Sequence, residues 1–258
     1  MSVDFHSPDL QRTYSDRAVS EDWRIWCQEH LSPNGKDVVD IGCGGGIYSR
    51  GFAALGAKSV TGVDLSKQYV NEAEEASRSL PNVLFVVGSA AETGLPDGYA
   101  DIVFHRAVIH HLSEEVQVRS AAENFRILRP GSVCAVQDRT MEDEKPTRPD
   151  HWIRSTLFEE FPHLMDTERG RRPSTDDYSA IMKAAGFAKV EVLRDAETRK
   201  VYSTFDELEA DVLARKGKSI LFELSDAELH TYCAALAAKS TAPPIVEVDS
   251  WTVWLGTK

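Results

Sequence analysis

Five short segments rich in valine, isoleucine and phenylalanine recur between residues 37 and 138: DVVDIG (37–42), SVTGVD (59–64), VLFVVG (83–88), ADIVFH (100–105) and SVCAVQD (132–138). Amphipathic stretches separate them, SKQYVNEAEEASRSL from Ser66 to Leu80 being the clearest. This alternation dictates βαβ units, and hence a parallel sheet with helices on both faces. LRPGS (128–132) supplies a Pro-Gly turn between a helix and the fifth strand. With 258 residues, 42 % of them hydrophobic and 27 % charged, the chain has enough apolar material for one sizeable core.

The first strand runs straight into glycines: VVDIGCGGGIYS, residues 38–49, holds Gly42, Gly44, Gly45 and Gly46. A strand, a glycine-rich turn and a helix together make a nucleotide-binding element, because glycine permits positive φ and close approach of a ligand to the backbone. The dinucleotide pattern GxGxxG, counted from Gly42, fails at Ile47. No lysine follows the glycines, which excludes a phosphate-binding P-loop. The pattern present is Asp-x-Gly-x-Gly-x-Gly, from Asp40 to Gly46. The second strand closes on Asp64, an acid placed to accept hydrogen bonds from both hydroxyls of a ribose. Its alternative role is to cap the helix that begins near Ser66.

These segments, with VTGVDLS, GSAAETGLPDGYADIVF, HRAVIHHL and LRPGSVCAVQD in the same order and spacing, resemble the class I S-adenosylmethionine-dependent methyltransferases over residues 35–140. The branch they most resemble contains small-molecule methyltransferases of the ubiquinone and menaquinone biosynthesis type. The resemblance implies a Rossmann-like fold, S-adenosylmethionine as cofactor and a small organic acceptor. It implies that Asp40 and the backbone of Gly42, Cys43 and Gly44 hold the amino-acid end of the cofactor. Asp64 would bind the ribose and Leu65 would lie against the adenine. Ser89, Ala90 and Ala91 would line the adenine edge, Ser89 standing where the family often has aspartate. His105 and Arg106 would sit beneath the cofactor at the end of the fourth strand. Tyr14 and Arg17, in RTYSDRAVSEDWRIW, would fold over it, ahead of a packing helix that presents Trp23, Trp26, Cys27 and His30.

His110 and His111 follow the fourth strand, at the carboxyl edge where a doubly wound sheet meets its ligands. Histidine titrates near neutrality, so either is a candidate general base; the alternative is a helix cap and a packed ring. ERGRRP (168–173) is a local basic cluster, either a solvated loop or an anchor for an anionic acceptor. His151, Trp152, Phe158, Phe161 and His163 form an aromatic stretch that fits a core or an acceptor pocket equally well. Asp138 ends the fifth strand with no carboxylate partner at metal-binding spacing, so no metal is expected. A formal net charge of −12 repels phosphate backbones and argues against nucleic acid. The four cysteines are scattered, and neither a signal peptide nor a membrane-spanning run is found; a reducing cytoplasm is expected.

After Asp138 come MEDEKPTRPDHW, a loop, and STDDYSAIMKAAGF (174–187), a helix capped by Ser174 and ended at Gly186. Thr204 with Glu207, and Ser225 with Glu228, open two more helices, the first stopping near Gly217. KVEVL (189–193) and SWTVWLG (250–256) are strands that bracket these helices. The expected whole is one α/β domain over 1–258, with a doubly wound, mostly parallel seven-stranded sheet whose last strand is antiparallel. Residues 35–140 would bind the cofactor, and 141–185 with 205–240 would form a helical cap over the acceptor. A non-catalytic S-adenosylmethionine-binding protein keeps the same loop and Asp64, and a nicotinamide-dependent oxidoreductase needs the fingerprint that Ile47 breaks. The acceptor atom stays open among oxygen, nitrogen, carbon, sulfur and arsenic, because fold does not decide it.

Overall fold

The computed structural model describes residues 19–144, 151–240 and 242–258. Seven strands form one sheet: β1 (Asp37–Ile41), β2 (Ser59–Asp64), β3 (Val83–Val87), β4 (Ala100–Arg106), β5 (Leu128–Asp138), β6 (Lys189–Tyr202) and β7 (Ile245–Thr257). Their order across the sheet is β3-β2-β1-β4-β5-β7-β6, with β7 antiparallel to both its neighbours. The helices are α1 (Glu21–His30), α2 (Ile47–Ala54), α3 (Lys67–Ala76), α4 (Glu114–Ile127), α5 (Trp152–Glu160), α6 (Leu164–Arg171), α7 (Thr175–Ala184), α8 (Phe205–Leu213) and α9 (Asp226–Lys239).

Both faces of the sheet are covered. On one, Val38, Phe104 and Ala135 pack against Trp23, Phe52 and Leu55; on the other, Val39, Val103 and Val136 pack against Ile127, Tyr178 and Met182. Residues buried on both sides read as continuous apolar runs, which is why β1, β2 and β4 were plain in the sequence. Ser66, Ser113, Ser174, Thr204 and Ser225 each accept a backbone N–H at the start of a helix, as short polar side chains do at an N-cap. Ser225 and Glu228 complete a reciprocal capping box, whereas Glu207 reaches past Thr204 to the Ser203 N–H. His30, placed by its spacing on the packing face of α1, is exposed; Trp23, Trp26 and Cys27 are buried there.

Two differences bear on function. First, β6 and β7 are far longer than KVEVL and SWTVWLG. β5 pairs with β7 only as far as Asp138–Thr252, while β6 and β7 continue together to Tyr202–Ile245. This two-stranded ribbon projects past the carboxyl edge of the parallel strands. Second, the expected cap of 141–185 is too long. The α7 helix packs on the sheet, Tyr178 and Met182 being buried beside Trp254, whose indole N–H donates to the Thr175 carbonyl. The cap consists of α5, α6, α8 and α9, which share their own core with the ribbon: Leu157, Leu164, Leu208 and Leu236 around Tyr202 and Ile245. Within that core lie Phe158 and Phe161, so these aromatic residues are packing and do not line the cavity described next.

Candidate active site

A cavity of about 1020 Å³ opens between the carboxyl edge of the sheet and the cap. Its floor begins at the glycine loop. Gly42, Gly44 and Gly46 have φ of +71°, +50° and +76°, the left-handed region that favours glycine. A Cβ built on Gly42 would stand 2.4 Å from Val108 Cγ2, so no side chain fits that turn. A Cβ on Gly44 would meet nothing within 4 Å. Gly44 therefore presents bare backbone to open space in the cavity.

Asp64 fastens the loop to the end of β2. Its Oδ2 accepts the Gly44 N–H at 2.9 Å and its Oδ1 accepts the Ser66 N–H at 2.9 Å. The residue orders the start of α3, as the capping alternative expects, and it also lines the cavity. Leu65 follows with 72 % of its surface exposed, an apolar shelf on the cavity wall. Ser89, Ala90 and Ala91 line the adjoining wall, where Ser89 and Glu92 exchange backbone hydrogen bonds at 3.1 Å in a tight turn. Cys43 also lines the floor, with its thiol nearly buried and pushed well up by desolvation.

Two of the residues expected at the cofactor do not line the cavity. Asp40 is 2 % exposed and does not line the cavity; its carboxylate accepts the Ser49 hydroxyl at 2.6 Å and so ties β1 to α2. Burial, opposed by Ser49, raises its pKa to about 7. His105 is fully buried on the far side of β4, with Nε2 3.0 Å from Asn124 Oδ1 on α4. Successive strand residues point to opposite faces, so Arg106 reaches the cavity and His105 cannot. Tyr14 and Arg17 lie outside the described residues.

After β4 the chain turns through Ala107, a non-glycine residue at φ +56°, and a 3₁₀ turn at Ile109–His111. His110 lines the cavity. Its Nδ1 lies 2.8 and 3.0 Å from the two oxygens of Asp138 at the end of β5, and its backbone N–H donates to the same carboxylate at 3.3 Å. Sequence spacing gave Asp138 no partner; the adjacency of β4 and β5 gives it His110. Burial pushes the Asp138 carboxyl up, but His110 and Arg172 together hold it well below the usual carboxylate range. Burial lowers the His110 pKa, partly offset by Asp138 and reinforced by Arg172 and Arg171. The ring is consequently neutral at pH 7, donating from Nδ1 to Asp138 and keeping Nε2 as the basic nitrogen. His111, its ring centroid 3.9 Å from that of His110, is lowered by desolvation and then by His110. Neither histidine caps α4, which Ser113 does.

Beyond the histidines the wall is cationic. Arg106 donates to Gln137 at 2.6 Å and to Glu197 at 2.5 Å. Arg139 follows Asp138, Arg154 comes from α5, Arg171 and Arg172 from the end of α6, and Arg199 from β6. Lys218 and Trp251 complete this half. Of the basic cluster in the sequence, Arg171 and Arg172 do reach the cavity, while Arg169 stays exposed against Asp166. Arg139, Arg154, Arg199, Lys218 and Trp251 were missed. A sequence clue existed for Arg139 alone, next to a strand end at the ligand edge. Among the described residues no group of three or more His, Cys, Asp or Glu could hold a metal, and no helix is long and apolar enough to cross a membrane.

Residues 39–136 match the family described as a methyltransferase domain. That stretch of the chain is similar to the methyltransferase domains of class I S-adenosylmethionine-dependent enzymes. A 2-methyl-6-phytyl-1,4-hydroquinone methyltransferase of Synechocystis sp. is 29 % identical over 134 residues, 51 % of this chain and 42 % of that one. A ubiquinone biosynthesis O-methyltransferase of Paraburkholderia xenovorans is 33 % identical over 110 residues, 41 % of this chain and 45 % of that one. The chain thus spans less than half the length of these two relatives. A solved structure from Anabaena variabilis, described as a methyltransferase from an antibiotic biosynthesis pathway, superposes with a TM-score of 0.70 at 20 % identity, covering 95 % of this chain and all of that one. It shows the fold, a Rossmann-like one, over a superposition that takes in nearly the whole chain.

Proposed function

We propose that this protein transfers a methyl group from S-adenosylmethionine to a small organic acceptor with a protic group. The observation that carries the proposal is a single cavity joining the Gly44–Asp64 cradle to the His110–Asp138 pair. The cradle fits the cofactor: open backbone at Gly44, the Asp64 carboxylate on the cavity wall, and an exposed apolar shelf at Leu65 beside Ala90 and Ala91. S-adenosylmethionine, when bound, supplies an electrophilic methyl on a sulfonium.

The chain's own contribution is placement and proton handling. Orientation of two reactants can be worth roughly 7–11 kcal/mol. His110 Nε2 accepts the proton of the acceptor, and Asp138 holds the ring's tautomer and steadies the imidazolium. The cap excludes water and sets the acceptor's shape.

Asp64→Ala tests the cofactor half. Removal of an acceptor for two hydroxyls should weaken S-adenosylhomocysteine binding by roughly 1.5–3 kcal/mol in calorimetry. An unchanged affinity in a folded mutant would remove Asp64 from the site. Screening acceptors by released S-adenosylhomocysteine tests the transfer itself.

The cap gives a second expected outcome. Hydrogen exchange should show residues 151–171 and 205–239 gaining protection when S-adenosylhomocysteine and an acceptor bind, because a closing element is drawn from the less stable parts of a fold. Protection confined to 40–65 and 88–111 with a turned-over acceptor present would make these helices a fixed scaffold.

A further inference from the structure

Resting on the methyl-transfer reading, we propose that the acceptor is an organic oxyanion, held through a carboxylate or phosphate by Arg139, Arg154 and the Trp251 indole N–H. The protein as a whole carries a net charge of −12, yet this half of its cavity is lined by Arg139, Arg154, Arg171, Arg172, Arg199 and Lys218 against the carboxylates of Glu168, Glu197 and Asp249. Several carboxylates that hold these cations stand behind the wall and not on it. Glu144 takes Arg154, and Glu247 takes Arg199 and Lys218; neither acid lines the cavity. Glu168, Glu197 and Asp249 on the wall pair with Arg172, Arg106 and Arg139, but with Glu144 and Glu247 behind it the wall carries more bases than acids and presents positive charge to whatever enters.

Three residues in this wall carry donors that find no acceptor among the described residues. Arg139 Nε and Trp251 Nε1 are buried, and neither has a hydrogen-bond partner among the described residues. Arg154 gives Nε to Glu144, and neither of its two amino groups makes a hydrogen bond among those residues. Buried N–H groups left without acceptors are costly, and an incoming oxyanion supplies what they lack. The arginines are also pre-positioned. The guanidinium carbons of Arg106 and Arg139 lie 4.2 and 4.0 Å from the centroid of the Trp251 ring, which fixes both groups; Arg106 is spent on Gln137 and Glu197, while Arg139 pairs with Asp249 at 2.7 Å through one amino group and keeps Nε for a ligand. Arg172 bonds the same Asp138 oxygen that faces His110, so the proton acceptor and the anion site share one wall. The geometry therefore assigns a molecule with a protic group toward His110 and an anionic group toward Arg139 and Arg154.

The test uses matched pairs titrated calorimetrically into the full chain, with and without S-adenosylhomocysteine: 4-hydroxybenzoate against its methyl ester, and phenyl phosphate against phenol. The anionic member of at least one pair should bind about tenfold or more tightly than its neutral partner, and the pair that discriminates more identifies carboxylate or phosphate. Trp251→Phe keeps the ring that Arg106 and Arg139 flank and removes the N–H. It should weaken the anion several-fold and leave S-adenosylhomocysteine affinity unchanged, and Arg154→Gln should do the same more strongly. Neutral members binding as tightly as anions, or no anion binding at millimolar concentration, would overturn the proposal and leave the arginines a purely structural lattice. Loss of S-adenosylhomocysteine binding by the unaltered protein is a different failure: it would strike the methyl-transfer reading, while the arm without that ligand still decides the anion site.

Discussion

Gly44→Val should abolish S-adenosylhomocysteine binding in a protein that remains folded. The mutant side chain meets no protein atom, since a Cβ there has nothing within 4 Å. Its cost to the fold is the left-handed backbone, φ +50°, about 1–2 kcal/mol for a residue with a Cβ. Against a total stability of roughly 5–15 kcal/mol the protein survives. The volume the isopropyl group takes is the volume the ligand needs against the loop. The substitution also disturbs the Gly44 N–H that positions Asp64, so both parts of the cradle are lost together. Gly42→Ala is the contrasting variant: its methyl collides with Val108, and it should lower the melting temperature whether or not ligand is present. Calorimetry and thermal melts of the two mutants separate a ligand cradle from a folding turn. Wild-type affinity in Gly44→Val would place the cofactor elsewhere.

The second large effect is expected at His110. With an acceptor identified by the release assay, His110→Ala should lower kcat by about 100- to 10,000-fold with S-adenosylhomocysteine affinity intact. The pH profile carries a sign that a structural role would not produce. A base must be unprotonated, and burial has moved His110 below the ordinary imidazole range. Activity should therefore hold as pH falls through 6.5, the usual imidazole value, and decline only at lower pH, through the depressed pKa. Asp138→Asn removes the charge that raises that pKa. Its acid limb should shift to still lower pH while kcat falls, because the ring loses its fixed tautomer. A His110→Ala enzyme with wild-type kcat and an unaltered acid limb would show that the acceptor needs no base from this residue.

The parallel core could be read from the sequence because burial on both faces leaves one local signature, a short apolar run. The glycine loop and Asp64 were equally legible. Their chemistry depends on backbone conformation and on lying at the end of a strand, and both are local properties. The ribbon was not legible beyond its first residues. Lys189–Tyr202 carries Arg194, Asp195, Glu197 and Arg199, which break any apolar alternation, because part of that strand faces a polar cavity and not a core. The aromatic stretch at 151–163 was ambiguous for the opposite reason: packing residues and pocket residues look alike until their neighbours are known, and Arg154 was the one that turned to the cavity.

Sequence by itself determined the order of the strands' formation units, the caps of the helices, the turn that only glycine can make and the acid that fastens it. Each is set by interactions within about thirty residues. Tertiary structure decided which side of β4 meets the ligand, leaving His105 in the core and sending Arg106 to the cavity. It also decided that His110 would find Asp138 across 28 residues of chain, and that basic residues from β5, α5, α6 and β6 would converge on one wall. Pairings of that kind arise from the side-by-side placement of β4 and β5 and from the ribbon that carries the cap. No local pattern encodes them, because the residues involved share a site only after distant strands have taken their places in one sheet.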